Sequence, residues 1–188
     1  MRLVYGVGIN DKNGFSSTKE YKLWADMLRR CYTDNPIRKQ ISYQECTVSD
    51  NFKSFSYFYD WCQEQIGFNV CGFQLDKDLL IKGNKLYSEE RCLFLPGKLN
   101  GALEKCKGLR GSFPIGVYFE KRTGLIKAKV RVDGKQIHLG SFDNKIDAFN
   151  EYKKEKEIYI KYLASVCSEQ IDERAYKALM NYTVDITD

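Results

Sequence analysis

Apolar and polar positions along the chain change period from one segment to the next. From Ser17 onward, Tyr21, Trp24, Met27, Leu28 and Cys31 recur at helical spacing, which predicts a helix with one apolar stripe. Ser17 and Glu20 fit a capping box at its start, and Asp34-Asn35-Pro36 ends it. Residues 51–66 predict a second helix: Phe52, Phe55, Tyr59, Cys62 and Ile66 form its stripe, widened by Phe58 and Trp61. Such an aromatic stripe points to a core rather than to a cofactor box. Two short strand candidates follow at 73–78 and 92–95, the second ended by Pro96. A polar loop at 82–88 separates them, and a short helix is expected at 97–103. The order is strand, loop, strand, helix.

Residues 105–112 are small, basic and Gly-containing, as a linker would be. Beyond them, alternation predicts three strands at 115–120, 125–132 and 135–142. Arg122-Thr123-Gly124 and Asp133-Gly134 are the turns, and Asp-Gly is a strong two-residue hairpin signal. A long helix at 145–164 closes the unit, with Ala148, Phe149, Tyr152, Ile158, Tyr159 and Tyr162 in its apolar stripe. A last helix at 172–181 is expected to pack through Tyr176, Leu179 and Met180. The fold class is therefore α+β. The domains are expected at 1–104 and 112–165, with the linker at 105–111 and a C-terminal helix and tail at 166–188; a chain of 188 residues has room for two small domains.

Charge sharpens this division. The net charge is +5, but residues 105–165 carry 14 Lys/Arg against 7 Asp/Glu. Residues 1–104 are close to balanced, with 14 against 13, and residues 166–188 are acidic, with 2 against 5. A basic field confined to one segment points to a polyanion. Composition then removes several classes. The single histidine, His138, excludes any mechanism that needs two. Seven cysteines without a C-x-x-C pair argue against a disulfide framework or an ordinary zinc site. No apolar run reaches the ~18–20 residues of a membrane span, and the N-terminus lacks a signal-peptide core. The protein is expected to be soluble and cytoplasmic, with no membrane partner.

Strand side chains alternate between faces. Ile126, Ala128, Val130 and Val132 share one face with Val117, Phe119, Ile137 and Leu139. Tyr118, Arg122, Lys127, Lys129, Arg131, Gln136 and His138 share the other. Like charges in a row on an exposed sheet repel, and a polyanion would relieve them. Sheets enter the DNA major groove, where Lys, Arg and Gln reach phosphates and base edges.

The segment 113–163 resembles the plant ethylene-response-factor (AP2) type of DNA-binding domain, which also occurs in phage homing endonucleases. The matching residues are Gly116-Val117, the run from Gly124 to Arg131, Ile137-His138-Leu139-Gly140-Ser141-Phe142-Asp143 and Asp147-Ala148-Phe149-Asn150-Glu151-Tyr152. The resemblance implies three strands packed on one helix, with the sheet reading the major groove of double-stranded DNA. Plant members carry arginine at the positions of Tyr118 and Glu120 and usually tryptophan at that of His138, so a different base choice is implied.

The first domain carries Leu75-Asp76-Lys77-Asp78. As a strand it would place both carboxylates on one face and Lys77 on the other. Asp and Asn oxygens suit a hard cation such as magnesium or manganese, and a salt-bridged loop explains the same residues. Residues 21–100 resemble the phage HNH homing-endonuclease group through the run Trp24 to Tyr32, Val48, Leu75 to Asp78, Gly83 to Cys92, and Asn100. The resemblance implies a ββα-metal site with Asp76 and Asn100 as metal ligands, Asn84 as the loop-organising residue and Lys77 at the position of the histidine base. A general base must be unprotonated near neutral pH, whereas lysine has a reference pKa of ~10.4 and two flanking aspartates favour its charged form.

The expectation is a phage-type, double-stranded DNA-binding protein of HNH lineage whose nuclease activity is lost or weakened. One alternative is an active endonuclease using Mg2+ or Mn2+. Another is an anti-defence or regulatory protein that binds a host nucleoprotein complex. The sequence leaves the oligomeric state open.

Overall fold

The computed structural model describes residues 3–35, 41–105 and 111–188. The linker expected at 105–111 falls mostly on residues outside that set. The chain divides into two compact units, Met1–Pro96 with Gln170–Ala175, and Gly97–Glu169 with Tyr176–Asp188.

In the first unit, α1 (Lys19–Tyr32) buries Trp24, Met27 and Leu28. Its cap is Thr18, one residue later than expected, whose hydroxyl oxygen accepts from the Tyr21 N–H at 3.2 Å. The expected second helix is two helices, α2 (Asp50–Lys53) and α3 (Phe55–Glu64), broken at Ser54. The break has a long-range cause. Ile9 runs alongside, donating its N–H to the Lys53 carbonyl at 2.8 Å and accepting from the Phe55 N–H at 3.0 Å. Ser54 then caps α3 by accepting from the Tyr57 N–H. Because α3 stops at Glu64, Ile66 leaves the expected stripe and is exposed. The aromatic stripe is core: Phe52, Phe55, Phe58, Trp61 and Cys62 are buried with Trp24 and Phe94. Phe52 and Phe58 meet edge-on with ring centroids 5.1 Å apart.

Two small sheets complete this unit. Strand β1 (Thr47–Val48) pairs in parallel with β3 (Leu86–Tyr87). Strand β2 (Phe73–Asp76) pairs antiparallel with β4 (Leu93–Pro96), in the register Phe73 to Pro96 and Asp76 to Leu93.

The second unit begins with α4 (Gly97–Leu103), at the bounds the sequence predicts. Strands β5 (Val117–Glu120), β6 (Leu125–Val132) and β7 (Lys135–Phe142) form an antiparallel sheet in chain order. Helix α5 (Lys145–Val166), capped by the Asn144 side chain, covers one face of it. Val117, Ala128, Val130, Ala148, Phe149 and Tyr152 form the core between helix and sheet. Phe119 and Ile137 have the right parity for that core but are exposed, because α5 packs mainly over the central strand. In α5 itself Ile158 and Tyr162 are exposed, while Lys156, Ile160 and Leu163 are buried. Helix α6 (Glu173–Met180) buries Ala175 and Leu179, with Tyr176 and Met180 half-buried.

Gly116, just before β5, lies against the Tyr152 ring of α5. Its φ of 76° is unfavourable for any residue with a Cβ, and a Cβ there would overlap the Tyr152 ring. Gly116→Ala is expected to combine left-handed strain with overpacking and to destabilise the second unit by about 3 kcal/mol. Thermal unfolding of the variant should show that unit's midpoint lowered by roughly 10 °C or more.

Candidate functional site

The register of the three-stranded sheet decides which side chains share its uncovered face. Tyr118, Lys127 and Ser141 lie abreast, followed by Lys129 with His138 and Arg131 with Gln136. A bulge at the Ala128/Lys129 step leaves Leu139 as the extra residue of β7. Gly140, at φ 138°, accommodates it. Leu139 packs against the core, and alternation resumes on both sides, so His138 and Ser141 remain on the polar face. Arg131, Gln136 and His138 are exposed, and Tyr118, Lys127 and Lys129 are half-buried. Arg122 departs from the expected row: β5 ends at Glu120, and Arg122 lies exposed in the turn beyond it.

Local contacts hold these cations in place. The Lys129 ammonium stands 4.9 Å from the centroid of the Tyr118 ring and donates to Gln136 Oε1 at 3.2 Å. The Lys127 ammonium lies 3.9 Å from Glu120 Oε2, a long ion pair. Arg131 has Gln136 as its cross-strand neighbour, so its charge stays directed to solvent. At the distal hairpin, Asp133 Oδ1 accepts from the Tyr159 hydroxyl at 2.8 Å and pairs with the Lys98 ammonium at 2.6 Å. These bonds hold the Asp-Gly turn, with Asp133 at φ 51°, against α4 and α5.

The Asp-Lys-Asp strand differs from the sequence expectation. Strand β2 ends at Asp76, and Asp78 lies past it, so the two carboxylates do not form one strand face. Asp76 Oδ1 accepts from the Asp78 N–H at 3.0 Å and the Leu79 N–H at 2.8 Å. Burial pushes the Asp76 carboxyl above its ordinary value, against the pull of those two N–H groups. Lys77 is buried, 5% exposed, where an alternating strand with Asp76 inward would have turned it to solvent. Its ammonium donates to Asp78 Oδ1 at 2.6 Å and to the Asn84 carbonyl at 3.0 Å. The rings of Tyr43 and Tyr87 stand 5.7 and 5.6 Å away.

Asn84 is buried and organises the loop. Its Nδ2 donates to the Lys77 and Leu86 carbonyls at 2.8 and 2.7 Å. Its Oδ1 accepts from the Leu86 N–H at 3.1 Å and from Arg91 Nη1 at 2.9 Å. Sequence reasoning gives no role to Tyr43, Tyr87 or Arg91, although the last two lie in the run 83–92 that carries the family likeness. The two-residue pairing of β1 with β3 brings Tyr87 in.

The donor chemistry around Asp76 does not fit a divalent cation. One carboxylate oxygen already takes two backbone N–H groups, and the neighbouring side chain is an ammonium held by the other aspartate. Among the described residues, no group of three or more His, Cys, Asp or Glu side chains is placed to hold a metal. Asn100 lies on α4, in the second unit.

The chain matches no family model, no curated protein and no solved structure. Among the described residues no helix is long and apolar enough to cross a membrane.

Proposed function

We propose that the second unit binds double-stranded DNA through the uncovered face of its three-stranded sheet. The observation that carries this reading is the row Lys127, Lys129 and Arg131 on one face of the central strand, with α5 occupying the other face. Three strands spaced about 4.8 Å apart present a face about 10 Å wide, which suits a major groove about 12 Å wide. Lys127, Lys129 and Arg131 supply charge for phosphate oxygens. Gln136, abreast of Arg131 at the distal end, has the donor and acceptor to meet a base edge. Fluorescence anisotropy with a labelled duplex tests the reading. Binding should weaken steeply as salt rises, and a chain without affinity at low salt would refute it.

The strand–loop–strand stretch at 73–96 is, in this proposal, what remains of an HNH-type motif that no longer supports hydrolysis. The Lys77 side chain favours this over an active site, because it is buried and tied into the loop by Asp78 and the Asn84 carbonyl rather than presented to a substrate. Supercoiled plasmid incubated with Mg2+ or Mn2+ should stay supercoiled with the wild type and with Asp76→Ala alike. Nicking by the wild type that Asp76→Ala abolishes would restore the endonuclease reading.

A further inference from the structure

Helix α5 carries more apolar side chains than its own unit buries. Ile158, Tyr162 and Val166 follow one another at i, i+4 and i+8, and are 54%, 59% and 65% exposed. They form a ridge about 12 Å long at 1.5 Å per residue. Tyr152 joins the core between helix and sheet, and Lys156, Tyr159, Ile160 and Leu163 are buried as well, while the ridge stays more than half exposed. A row of large apolar residues on a surface helix otherwise dominated by lysine and glutamate marks a contact surface rather than scatter.

Charge is distributed unevenly along the ridge. Its N-terminal end has an excess of lysine: Lys154, in a long 3.9 Å ion pair with Glu151, is exposed one turn before Ile158, and a shallow hollow beside Ile158 is lined by Asn150, Lys153, Lys154, Glu157 and Lys161. Glu157 in that hollow is already engaged, pairing with the Lys153 ammonium at 2.6 Å. Its C-terminal end is anionic, with Glu169 exposed in the turn that follows the helix. An antiparallel copy of the same ridge, placed about a two-fold axis at Tyr162, matches both features. Ile158 then faces Val166 of the other copy, Tyr162 faces Tyr162, and Lys154 with its hollow faces the turn carrying Glu169. Each end meets its opposite charge twice, as an isologous contact requires.

We propose that a second copy of this chain docks on the α5 ridge, making a two-fold dimer through Ile158, Tyr162 and Val166. Ridges along i±4 rows interdigitate with the helix axes crossing at about 50°. Three apolar side chains per copy bury less than the ~1,200 Å2 of a standard interface, so the dimer is a weak one that forms at high concentration. The inference stands on α5 alone and does not depend on what the sheet binds.

Sedimentation equilibrium of the full chain from about 10 to about 500 μM tests it, across the range where so small an interface associates. The wild type should move toward dimer mass as concentration rises. Tyr162→Glu sets two carboxylates against each other at the axis and should stay monomeric throughout, with unchanged circular dichroism because the side chain is exposed. Lys154→Glu and Glu169→Lys should each weaken association several-fold, and the double variant should recover it. Recovery is the outcome that a merely sticky patch cannot produce. A wild type that stays monomeric leaves the ridge to a different partner and overturns the proposal. A dimer indifferent to Tyr162→Glu, or a double variant that fails to recover, overturns it as well.

Discussion

Replacing Lys127, Lys129 and Arg131 together by alanine is expected to lower duplex affinity about 500-fold at 0.1 M monovalent salt. The figure follows from counterion release: each phosphate contact contributes about 0.9 to the slope of log K against log salt, so three contacts contribute about 2.7. The slope is the more discriminating readout. It should fall by about 2.7 in the triple variant, and by about 0.9 for each single replacement that removes a phosphate contact. The singles should not be equal. Lys127 is half-buried and shared with Glu120, so some of its charge is already answered within the protein. Lys129 is held between Tyr118 and Gln136, so little side-chain freedom remains to be lost on binding. Arg131 is exposed and can make paired hydrogen bonds to a phosphate or to guanine. The expected order of loss is therefore Arg131 and Lys129 above Lys127. Unchanged affinity and slope in the triple variant would mean that phosphate is contacted elsewhere, and would remove the sheet from the proposal.

The second unit was largely legible because its information is local. Strands β6 and β7 and helix α4 have the bounds that alternation and turn residues predict, and Asp133-Gly134 makes the turn between β6 and β7. Only short separations along the chain are involved, and a period-two pattern sets the face of every residue up to the bulge. The bulge itself shifts the pairing, yet Leu139 still packs inward, so the expected polar face survives apart from Arg122. In α5 the apolar pattern was misleading. Tyr152, Lys156 and Ile160 are the consecutive i+4 positions that face inward, which buries a lysine and leaves Ile158 outside. A reading that ranks positions by hydrophobicity puts Ile158 in the core; helical geometry puts Lys156 there.

The first unit was legible in its aromatic core and less so in its chemistry. Trp24, Phe52, Phe55, Phe58 and Trp61 announce a core by number and spacing, and the structure buries them all. What breaks α2 from α3 is Ile9, more than forty residues away along the chain, inserting its backbone at Ser54. No helical pattern can register that. Lys77 shows the same limit. A charged residue in an alternating strand reads as solvent-facing, and its burial is tolerated because Asp78 and the Asn84 carbonyl meet the ammonium. The family likeness points to Asn84, and its observed bonds give it a loop-organising part on physical grounds.

That part can be measured. Asn84→Ala is expected to destabilise the first unit by about 3–4 kcal/mol, since it removes four hydrogen bonds and leaves buried backbone groups unanswered, each at about 1–3 kcal/mol where no water can replace the bond. The unfolding midpoint of that unit should fall by about 15 °C or more. Asn84→Asp should be nearly as costly despite its matching shape. It keeps the oxygen that accepts from Leu86 and Arg91, but turns a carboxylate oxygen on the Lys77 and Leu86 carbonyls, where the wild type donates. Lys77→Met makes the informative contrast. Asp78 is more than half exposed and can return to water, so only the Asn84 carbonyl loses a donor, and the buried ammonium is replaced by an apolar chain. The expected loss there is about 1–2 kcal/mol. If Lys77→Met proves the more damaging of the two, the ion pair rather than the asparagine holds the loop. The buried lysine would then be the structural centre of this unit, and the likeness to a loop-organising asparagine would lose its physical basis.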